Sequence, residues 1–379
     1  MSNHALLSAS ASHRWLNCPP SVRLSETLPD EVSTYAEEGS QCHELCAYLV
    51  ESALGKEVEN PIPHLRYYNS EMQNSAEEYK LYVLKAIEKA KSFCSDPAVF
   101  IEQRLDFSKW VKDGFGTGDA IIVADEVLQI IDYKHGLGVL VSAEHNSQMM
   151  CYALGALEAF DDIYNIKKIE MTIFQPRREN VSTWAITKEE LLDWAEKLLA
   201  PTAILAYEGK GEFKAGDHCQ FCKARAICRK RAEYNLELAK YDFQKPDTLD
   251  ELEIAALLSL FDNFISWATD VKEYALIQAQ NGVHFEGFKI VEGKSNRKYT
   301  DEAKVAEVTL SAGFDPYEKK VLGITAMTSL LGKKRFEELL GSLVYKPQGK
   351  PTLVPESDKR KAINTAKEDF KETTEEKHV

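Results

Sequence analysis

The sequence has no long hydrophobic run, and its first residues do not follow the pattern of a secretion signal. The longest apolar-rich stretch, residues 254–261, is far shorter than the roughly 20 residues that a membrane-spanning helix needs. The N-terminal residues MSNHALLSASASHRW contain no basic segment followed by an apolar one. We therefore expect a cytoplasmic protein that does not enter a membrane.

Two nucleotide-binding motifs are also missing from the 379 residues. No G-x-x-x-x-G-K-[ST] sequence occurs, so the chain contains no helicase motor of the P-loop type. No G-x-G-x-x-G sequence occurs either, so nothing indicates a dinucleotide-binding domain. The hydrophobic content of 44% and the charged content of 28% are ordinary for a globular protein.

Positive charge is scarce in the chain as a whole, whose formal net charge is −14 at pH 7. This balance argues against a protein covered by a basic surface, as a non-specific DNA binder would be. Residues 214–231 are an exception, because they hold one acid and six basic residues: Lys214, Lys223, Arg225, Arg229, Lys230 and Arg231. That segment is either a solvated helix face or a local channel for an anionic ligand.

The hydrophobic periodicity predicts a mixed α/β arrangement over the first 200 residues. Helical spacing predicts helices over residues 36–54, 75–94 and 142–160. Runs rich in β-branched and aromatic residues predict strands over 99–107, 118–124, 127–134, 167–176 and 181–186. A meander that gains another strand after a helical crossover forms a mixed sheet flanked by helices. From about residue 235 the pattern is mostly helical, with a predicted strand near 285–291.

Two aspartates and a lysine occupy matching places on two adjacent predicted strands. Asp119 begins one strand, and Asp132 lies near the end of the next, two residues before Lys134. Residues i and i+2 of a strand share a face, and an antiparallel hairpin can bring Asp119 beside them. Carboxylates suit Mg²⁺ or Mn²⁺, and a lysine can stabilise the charge that develops during phosphodiester hydrolysis. Taken alone, D-x-K favours a plain salt bridge at a strand end, because the motif is short and common.

Three further residues are candidates for the same site. His43 lies in the helical segment Gly-Ser-Gln-Cys-His, while Gln148 and Tyr152 are four residues apart on one helix face. Each has a plainer interpretation, namely a core or surface histidine and ordinary helix packing. Glu102, on the strand before Asp119, is a weaker candidate for a supporting role.

The order of these motifs resembles the RecB-like branch of the PD-(D/E)xK nuclease superfamily, which includes CRISPR-adaptation exonucleases and phage recombination nucleases. The resemblance spans roughly residues 10–232. Residues 39–43 are similar to the helical G-[ST]-x-x-H motif, and residues 118–119 to the G-D strand motif. Residues 132–134 are similar to (D/E)-x-K, and Gln148 with Tyr152 to Q-x-x-x-Y.

The resemblance implies a restriction-endonuclease-like core in residues 1–233 and a mostly helical region of unknown role in residues 234–379. It implies a Mg²⁺- or Mn²⁺-dependent DNA exonuclease, by analogy in phage recombination or DNA processing. The implied metal ligands are His43, Asp119, Asp132 and the backbone carbonyl of Tyr133. Lys134 is implied as the catalytic lysine, with Gln148 and Tyr152 positioning DNA or that lysine. The branch more often has Glu at the place of Asp132.

Cysteines predict a second metal site, because thiols in a cytosolic protein stay reduced and a cluster of them binds metal. Cys219, Cys222 and Cys228 follow the pattern C-x2-C-x5-C, and Cys18, before Pro19, is the outlying fourth candidate. The resemblance implies that these four hold a [4Fe–4S] cluster. The alternative is Zn²⁺, with His218 as a replacement ligand, although zinc ribbons usually have a second C-x2-C pair. The other four cysteines are interpreted as ordinary buried residues.

Basic residues near the two sites are candidates for contacts with DNA phosphates. They are Arg177, Lys223, Arg225 and Arg229. One hypothesis is an exonuclease that acts on single-stranded DNA or DNA ends. A second is a module that grips DNA or a phage recombination protein without cutting, and a third is a zinc-stabilised adaptor. Both rings and monomers occur in the RecB-like branch, so the oligomeric state stays open.

Overall fold

The computed structural model describes residues 5–29, 34–237, 251–292, 299–317 and 321–345. The chain divides into two compact units, residues 1–290 and 291–379. The predicted domain boundary after residue 233 lies close to residues 238–250, which are outside the described part. That boundary stays a prediction.

A five-stranded mixed sheet forms the centre of the first unit. Its strands, in spatial as well as chain order, are β1 (Ala98–Asp106), β2 (Phe115–Ala124), β3 (Val127–Tyr133), β4 (Lys168–Gln175) and β5 (Asn180–Thr187). Only β3 and β4 are parallel, and the other neighbours are antiparallel. Parallel neighbours need a crossover, which the helix between β3 and β4 provides. The prediction of a mixed sheet flanked by helices is confirmed.

The described helices of the first unit lie on this sheet or pack against one another. They are α1 (Ser12–Asn17), α2 (Ser21–Glu26), α3 (Thr34–Ala53), α4 (Ser70–Lys91), α5 (Ser147–Tyr164), α6 (Lys188–Trp194), α7 (Ala200–Glu208), α8 (Arg229–Leu236) and α9 (Glu251–Gln280). The prediction began α5 at residue 142, which is five residues too early. Asn146 caps the helix, because its side chain accepts hydrogen bonds from the amides of Gln148 and Met149.

Strand β2 is buried on both faces, which explains its continuous apolar run. Ile121 and Val123 pack in one layer with α5, whereas Ala120 and Ile122 pack in the other with α3 and α4. Successive side chains of a strand point to opposite faces, so one strand supplies both layers. Each fully buried Ile or Val side chain contributes about 1.5–3 kcal/mol of transfer free energy. This burial fixes β2 between the two helical layers.

The described residues after α9 form three short helices, α10 (Glu302–Ser311), α11 (Ile324–Leu331) and α12 (Lys333–Leu340). They agree with a mostly helical C-terminal part. The predicted strand over residues 285–291 is wrong, since these residues form a turn and irregular structure. Gly287 there has a φ of +80°, which does not fit an extended strand.

Helix α9 packs against α8 and is tied to the basic segment by charge. Asp270 of α9 accepts from Arg225 Nε at 3.0 Å and from Arg231. Within the described ranges, no single helix is long and apolar enough to cross a membrane. A bent pair, Glu251–Leu258 and Leu260–Gln280 at 42°, meets the length and composition criteria together.

Candidate functional site

Side chains from both helical layers and from the sheet converge on one cleft beside the middle of β2 and the C-terminal end of β3. Six residues singled out in the sequence line this cleft: His43, Asp119, Asp132, Lys134, Gln148 and Tyr152. Glu102 of β1 lines it as well. The fold thus brings together residues that are more than 100 positions apart in the chain.

The β2–β3 hairpin sets the two aspartates beside each other. Ala120 pairs with Ile131, so the same register, continued by one residue, places Asp119 across from Asp132. Asp119 Oδ2 accepts a hydrogen bond of 2.6 Å from the amide of Tyr133, and its Oδ1 lies 3.2 Å from His43 Nδ1. Asp119 is 8% exposed and Asp132 only 2%.

Gln148, in the first turn of α5, hydrogen-bonds both Lys134 and Asp132. Lys134 Nζ lies 3.0 Å from Asp132 Oδ2 and donates a hydrogen bond of 3.0 Å to Gln148 Oε1. Gln148 Nε2 in turn donates to Asp132 Oδ1 at 3.3 Å and to the Tyr152 hydroxyl at 3.0 Å. Gln148 therefore contacts Lys134 directly, as its predicted positioning role requires. Tyr152 is connected to Lys134 only through Gln148.

The electrostatics of the cleft keep its charges paired. Burial disfavours protonation of His43, but the negative charge of Asp119 and its neighbours outweighs burial and raises the pKa of His43 to about 9. Burial is the largest single influence on Asp119 and raises its pKa, but the charge and hydrogen bond of His43, the Tyr133 amide and Lys134 together lower it overall. For Asp132, burial and the nearby Asp119 raise the pKa despite the presence of Lys134. Two adjacent buried carboxylates therefore differ in their tendency to ionise.

The residues of the cleft fit a divalent cation. Asp132 Oδ2 is buried and, among the described residues, has no hydrogen-bond partner of normal geometry, although Lys134 Nζ is 3.0 Å away. A buried carboxylate oxygen without a full set of partners is costly, and a bound cation compensates it. Carboxylate oxygens suit Mg²⁺ and Mn²⁺, and a neutral imidazole is a common additional ligand.

Glu102 contributes more to this cleft than its sequence context indicates. Its carboxylate and ligand atoms of His43 and Asp119 all lie within 4.8 Å of one another. Burial and the nearby charge of Asp119 raise the pKa of Glu102 to about 7. In the sequence, Glu102 is only an acidic residue in the predicted strand that precedes the strand of Asp119, which is a weak indication of a role in the site.

A chain of polar contacts behind the cleft includes two residues that sequence reasoning missed. The Tyr133 hydroxyl lies 3.2 Å from Cys42 Sγ and 3.0 Å from His135 Nδ1. His135 Nε2 then lies 3.0 Å from Glu38 Oε1. These contacts hold the side chain of Tyr133, whose backbone lies between Asp132 and Lys134. The metal-binding role of the Tyr133 carbonyl stays a prediction.

Arg177, predicted to contact DNA, has carboxylate partners within the fold. Its Nε lies 3.0 Å from Glu71 Oε1, and its Nη1 lies 3.3 Å from Glu38 Oε1. A DNA phosphate would have to compete with both carboxylates for the guanidinium. The predicted contact with DNA is untested by this arrangement and stays a prediction.

The four predicted cluster cysteines meet in one cavity. Cys18, at the end of α1, lines it together with Cys219, Cys222 and Cys228, 200 or more residues away. All four are free thiols. Burial is the main cause that raises the pKa of Cys18, and the nearness of Cys222 and Cys228 adds to it. The grouping that spacing predicted is present, and His218 lines the same cavity.

The other predicted DNA contacts lie in the segment around these cysteines. Lys223 and Arg229 are exposed, whereas Arg225 is half-buried and bonded to Asp270. Part of the positive charge in residues 214–231 is therefore compensated inside the protein. Their roles in DNA binding stay predictions.

Divalent-cation binding at the cleft is expected to tighten as the pH rises from 7 to 9. His43, with a pKa of about 9, is mostly protonated over this range, and a metal ligand must be deprotonated. Loss of one proton raises the apparent affinity about tenfold per pH unit. Titration calorimetry with Mn²⁺ in two buffers of different ionisation enthalpy measures the protons released. An affinity that is constant over this range, in wild type as in His43→Gln, would contradict the expectation.

A family model matches this chain, and a solved structure is similar to part of it. A family model described as a protein of unknown function, DUF2800, matches residues 4–361. A solved structure described as "Crystal structure of SSO0001" is similar at 15% identity, covering 49% of this chain and 95% of that one. Its TM-score is 0.24, which is too low to establish a shared fold. Neither description states an activity.

Proposed function

The chain belongs to the DUF2800 family of unknown function, so we propose its activity from its own cleft: a Mg²⁺- or Mn²⁺-dependent DNA exonuclease. The observation that carries the proposal is the arrangement of Asp119, Asp132 and Lys134. Two buried carboxylates face a lysine whose Nζ is 3.0 Å from one of them, in a cleft open to a substrate. This combination is suited to phosphodiester hydrolysis.

The residues of the cleft have two roles in the proposed hydrolysis, namely binding the metal ion and stabilising negative charge. A bound divalent cation supplies Lewis-acid polarisation of the phosphate and a more acidic water. Asp119, Asp132 and His43 provide the ligands for it. Lys134 stays protonated, because Asp132 and Asp119 raise its pKa against the opposing effect of burial. It therefore donates a hydrogen bond to the developing negative charge and does not act as a base.

We also propose a restriction-endonuclease-like core of the RecB-like PD-(D/E)xK type. The element order supports it: an antiparallel meander β1–β2–β3, a helical crossover through α5, and β4 parallel to β3. The motif residues lie on α3, at one end of the β2–β3 hairpin and on α5. These are the elements on which the resemblance expects them.

The four-cysteine cavity is proposed to hold a [4Fe–4S] cluster, with Zn²⁺ as the alternative. Support comes from the four free thiols that line one cavity between α1 and the residues before α8. Such a group joins the beginning of the chain to residues 219–228. Iron with labile sulfide in purified protein would support the cluster, and zinc alone would favour a zinc-stabilised adaptor.

The proposed substrate is single-stranded DNA or DNA ends, and a phage recombination protein is the proposed partner by analogy. Glu44, Glu51 and Glu59 also line the cleft, so its wall is acidic. In this cleft, the bound cation contributes more to the attraction of DNA phosphates than basic side chains do. The second candidate function is a module that holds DNA or a recombination partner without cutting, and the net charge of −14 favours the form that binds a protein partner.

The proposal is tested with anaerobically purified protein, end-labelled single-stranded DNA and Mn²⁺. Asp132→Asn keeps the side-chain shape but removes a charged ligand, and we expect cutting to fall at least about 100-fold. Asp193→Asn, on the exposed face of α6, is the matched control and should cut normally. All proteins are compared at equal iron content, and a chelator should abolish cutting. A wild-type protein that binds DNA and its cluster but never cuts would replace the enzyme with the non-cutting module.

A further inference from the structure

A loop between Lys134 and helix α5 presents apolar side chains to solvent. We call residues 136–140 the apolar loop, because Leu137, Val139 and Leu140 are each 48–50% exposed. Lys134 precedes this loop and Gln148 follows it in the first turn of α5, and both line the cleft. The apolar loop therefore belongs to the segment that connects two residues of the cleft.

A buried amide side chain holds the backbone of this loop. Gln175, at the end of β4, is 1% exposed, and its Nε2 donates to the carbonyls of Gly136 at 2.8 Å and Val139 at 2.9 Å. Its Oε1 accepts from the amide of Val141 at 3.3 Å, and Asn180 Nδ2 donates to the Val141 carbonyl at 2.9 Å. A loop fixed in this way loses little conformational entropy when a ligand binds.

The size of the apolar loop favours a nucleobase over a protein as its ligand. A stable protein interface buries roughly 800 Å² on each partner and uses about 20–30 residues a side. The loop by itself offers three apolar side chains. Apolar side chains such as leucine contact the faces of bases in nucleic-acid complexes. Three neighbouring side chains on a fixed backbone are suited to the face of one base.

The turn next to the loop supplies a positive charge. Gln175 and Asn180 flank residues 176–179, and Arg178 in this turn is exposed. Among the described residues Arg178 has no hydrogen-bond or ion-pair partner, whereas the neighbouring Arg177 is paired with two glutamates. A guanidinium beside an apolar patch is suited to the phosphate that accompanies a base.

We propose that the apolar loop and Arg178 bind an unpaired nucleotide of the DNA substrate next to the cleft. Leu137, Val139 and Leu140 contact the face of its base, and Arg178 contacts a phosphate. Every base has such a face, so the contact is independent of sequence. A base inside a duplex is stacked on both faces, so the loop selects single strands and frayed ends. The inference rests on the proposed function for DNA as the ligand, but base contact does not require cutting.

The experiment measures binding of the full chain to two labelled single-stranded oligonucleotides by fluorescence anisotropy. One has normal bases, and the other has the same length and phosphates but only abasic residues. Ca²⁺ replaces Mn²⁺ as the cation for the carboxylates, and electrophoresis checks that the DNA stays intact. The double variant Leu137→Ser, Leu140→Ser is expected to bind the normal oligonucleotide about tenfold more weakly and the abasic one unchanged.

Two further variants complete the comparison. Leu81→Ser with Leu198→Ser makes the same chemical change at exposed leucines outside the loop and should bind both oligonucleotides like wild type. Arg178→Gln should weaken the binding of both oligonucleotides by the same factor, because both contain the phosphates. The salt dependence of its binding should fall by about one ion.

The outcomes separate this inference from the proposed activity. A loss confined to the normal oligonucleotide supports the inference, whether or not the protein cuts DNA with Mn²⁺. Equal losses on both oligonucleotides, no loss on either, or no measurable binding by wild type overturns it even if cutting is observed. Circular dichroism of each variant identifies a loss of folding, and Val139→Thr, which keeps the shape of the side chain, then replaces a misfolded double variant.

Discussion

Lys134→Met is expected to slow DNA hydrolysis by about 10²–10³-fold while Mn²⁺ binding is retained. Methionine keeps an apolar, unbranched side chain but removes the ammonium group that lies between Asp132 and Gln148. The developing negative charge on the phosphate then loses its protonated donor. Single-turnover cutting of end-labelled DNA at saturating Mn²⁺ measures the chemical step, and dialysis measures the metal.

The same substitution has a second expected effect, on stability. Without Lys134, the buried Asp132 loses its ion-pair partner in the metal-free protein, and breaking a buried pair is destabilising by about 3–5 kcal/mol. Mn²⁺ should therefore raise the melting temperature of the variant more than that of wild type. Lys197→Met, at an exposed i,i+4 ion pair, is the matched control and should show neither effect. Wild-type cutting by Lys134→Met would remove the lysine from the proposed chemistry.

Cys222→Ser is expected to lose the bound cluster and to lower the melting temperature by about 10 °C. Cys222 shares a cavity with Cys18, Cys219 and Cys228, so a metal group there joins distant parts of the chain. Because the unfolded chain has no preformed site, the free energy of metal binding adds to the free energy of unfolding. Iron and sulfide analysis and calorimetric melting measure the two effects.

The control for this substitution is Cys94→Ser, which makes the same chemical change at a buried cysteine of the α3–α4 layer, outside the cavity. It should keep its iron and melt much closer to wild type. If Cys222→Ser retains the full metal content and melting temperature, the four-cysteine site is not a metal site that stabilises the fold. If the metal lost is zinc, the cavity keeps its structural role and the cluster proposal fails.

Local patterns determined the strands and much of the cleft. The period of two along β3 places Asp132 and Lys134 on one face, and the short connection after β2 brings Asp119 beside them. The i, i+4 spacing of Gln148 and Tyr152 likewise predicted a shared helix face, and the two side chains are hydrogen-bonded. The predicted start of α5 is too early. The helix begins after the side chain of one capping residue, Asn146, whereas hydrophobic periodicity is an average over many residues and does not locate a cap.

Contacts between residues far apart in the chain were decided only by the tertiary structure. The left-handed backbone at Glu102 and its closeness to His43 depend on how β1 pairs with β2 and how α3 packs over the sheet. The carboxylates around Arg177 come from α3 and α4, so its basic charge alone did not indicate its partners. Short-range periodicity encodes which face a residue occupies. The packing of the whole chain determines which other element contacts that face. The same packing places the charged side chains together in the cleft.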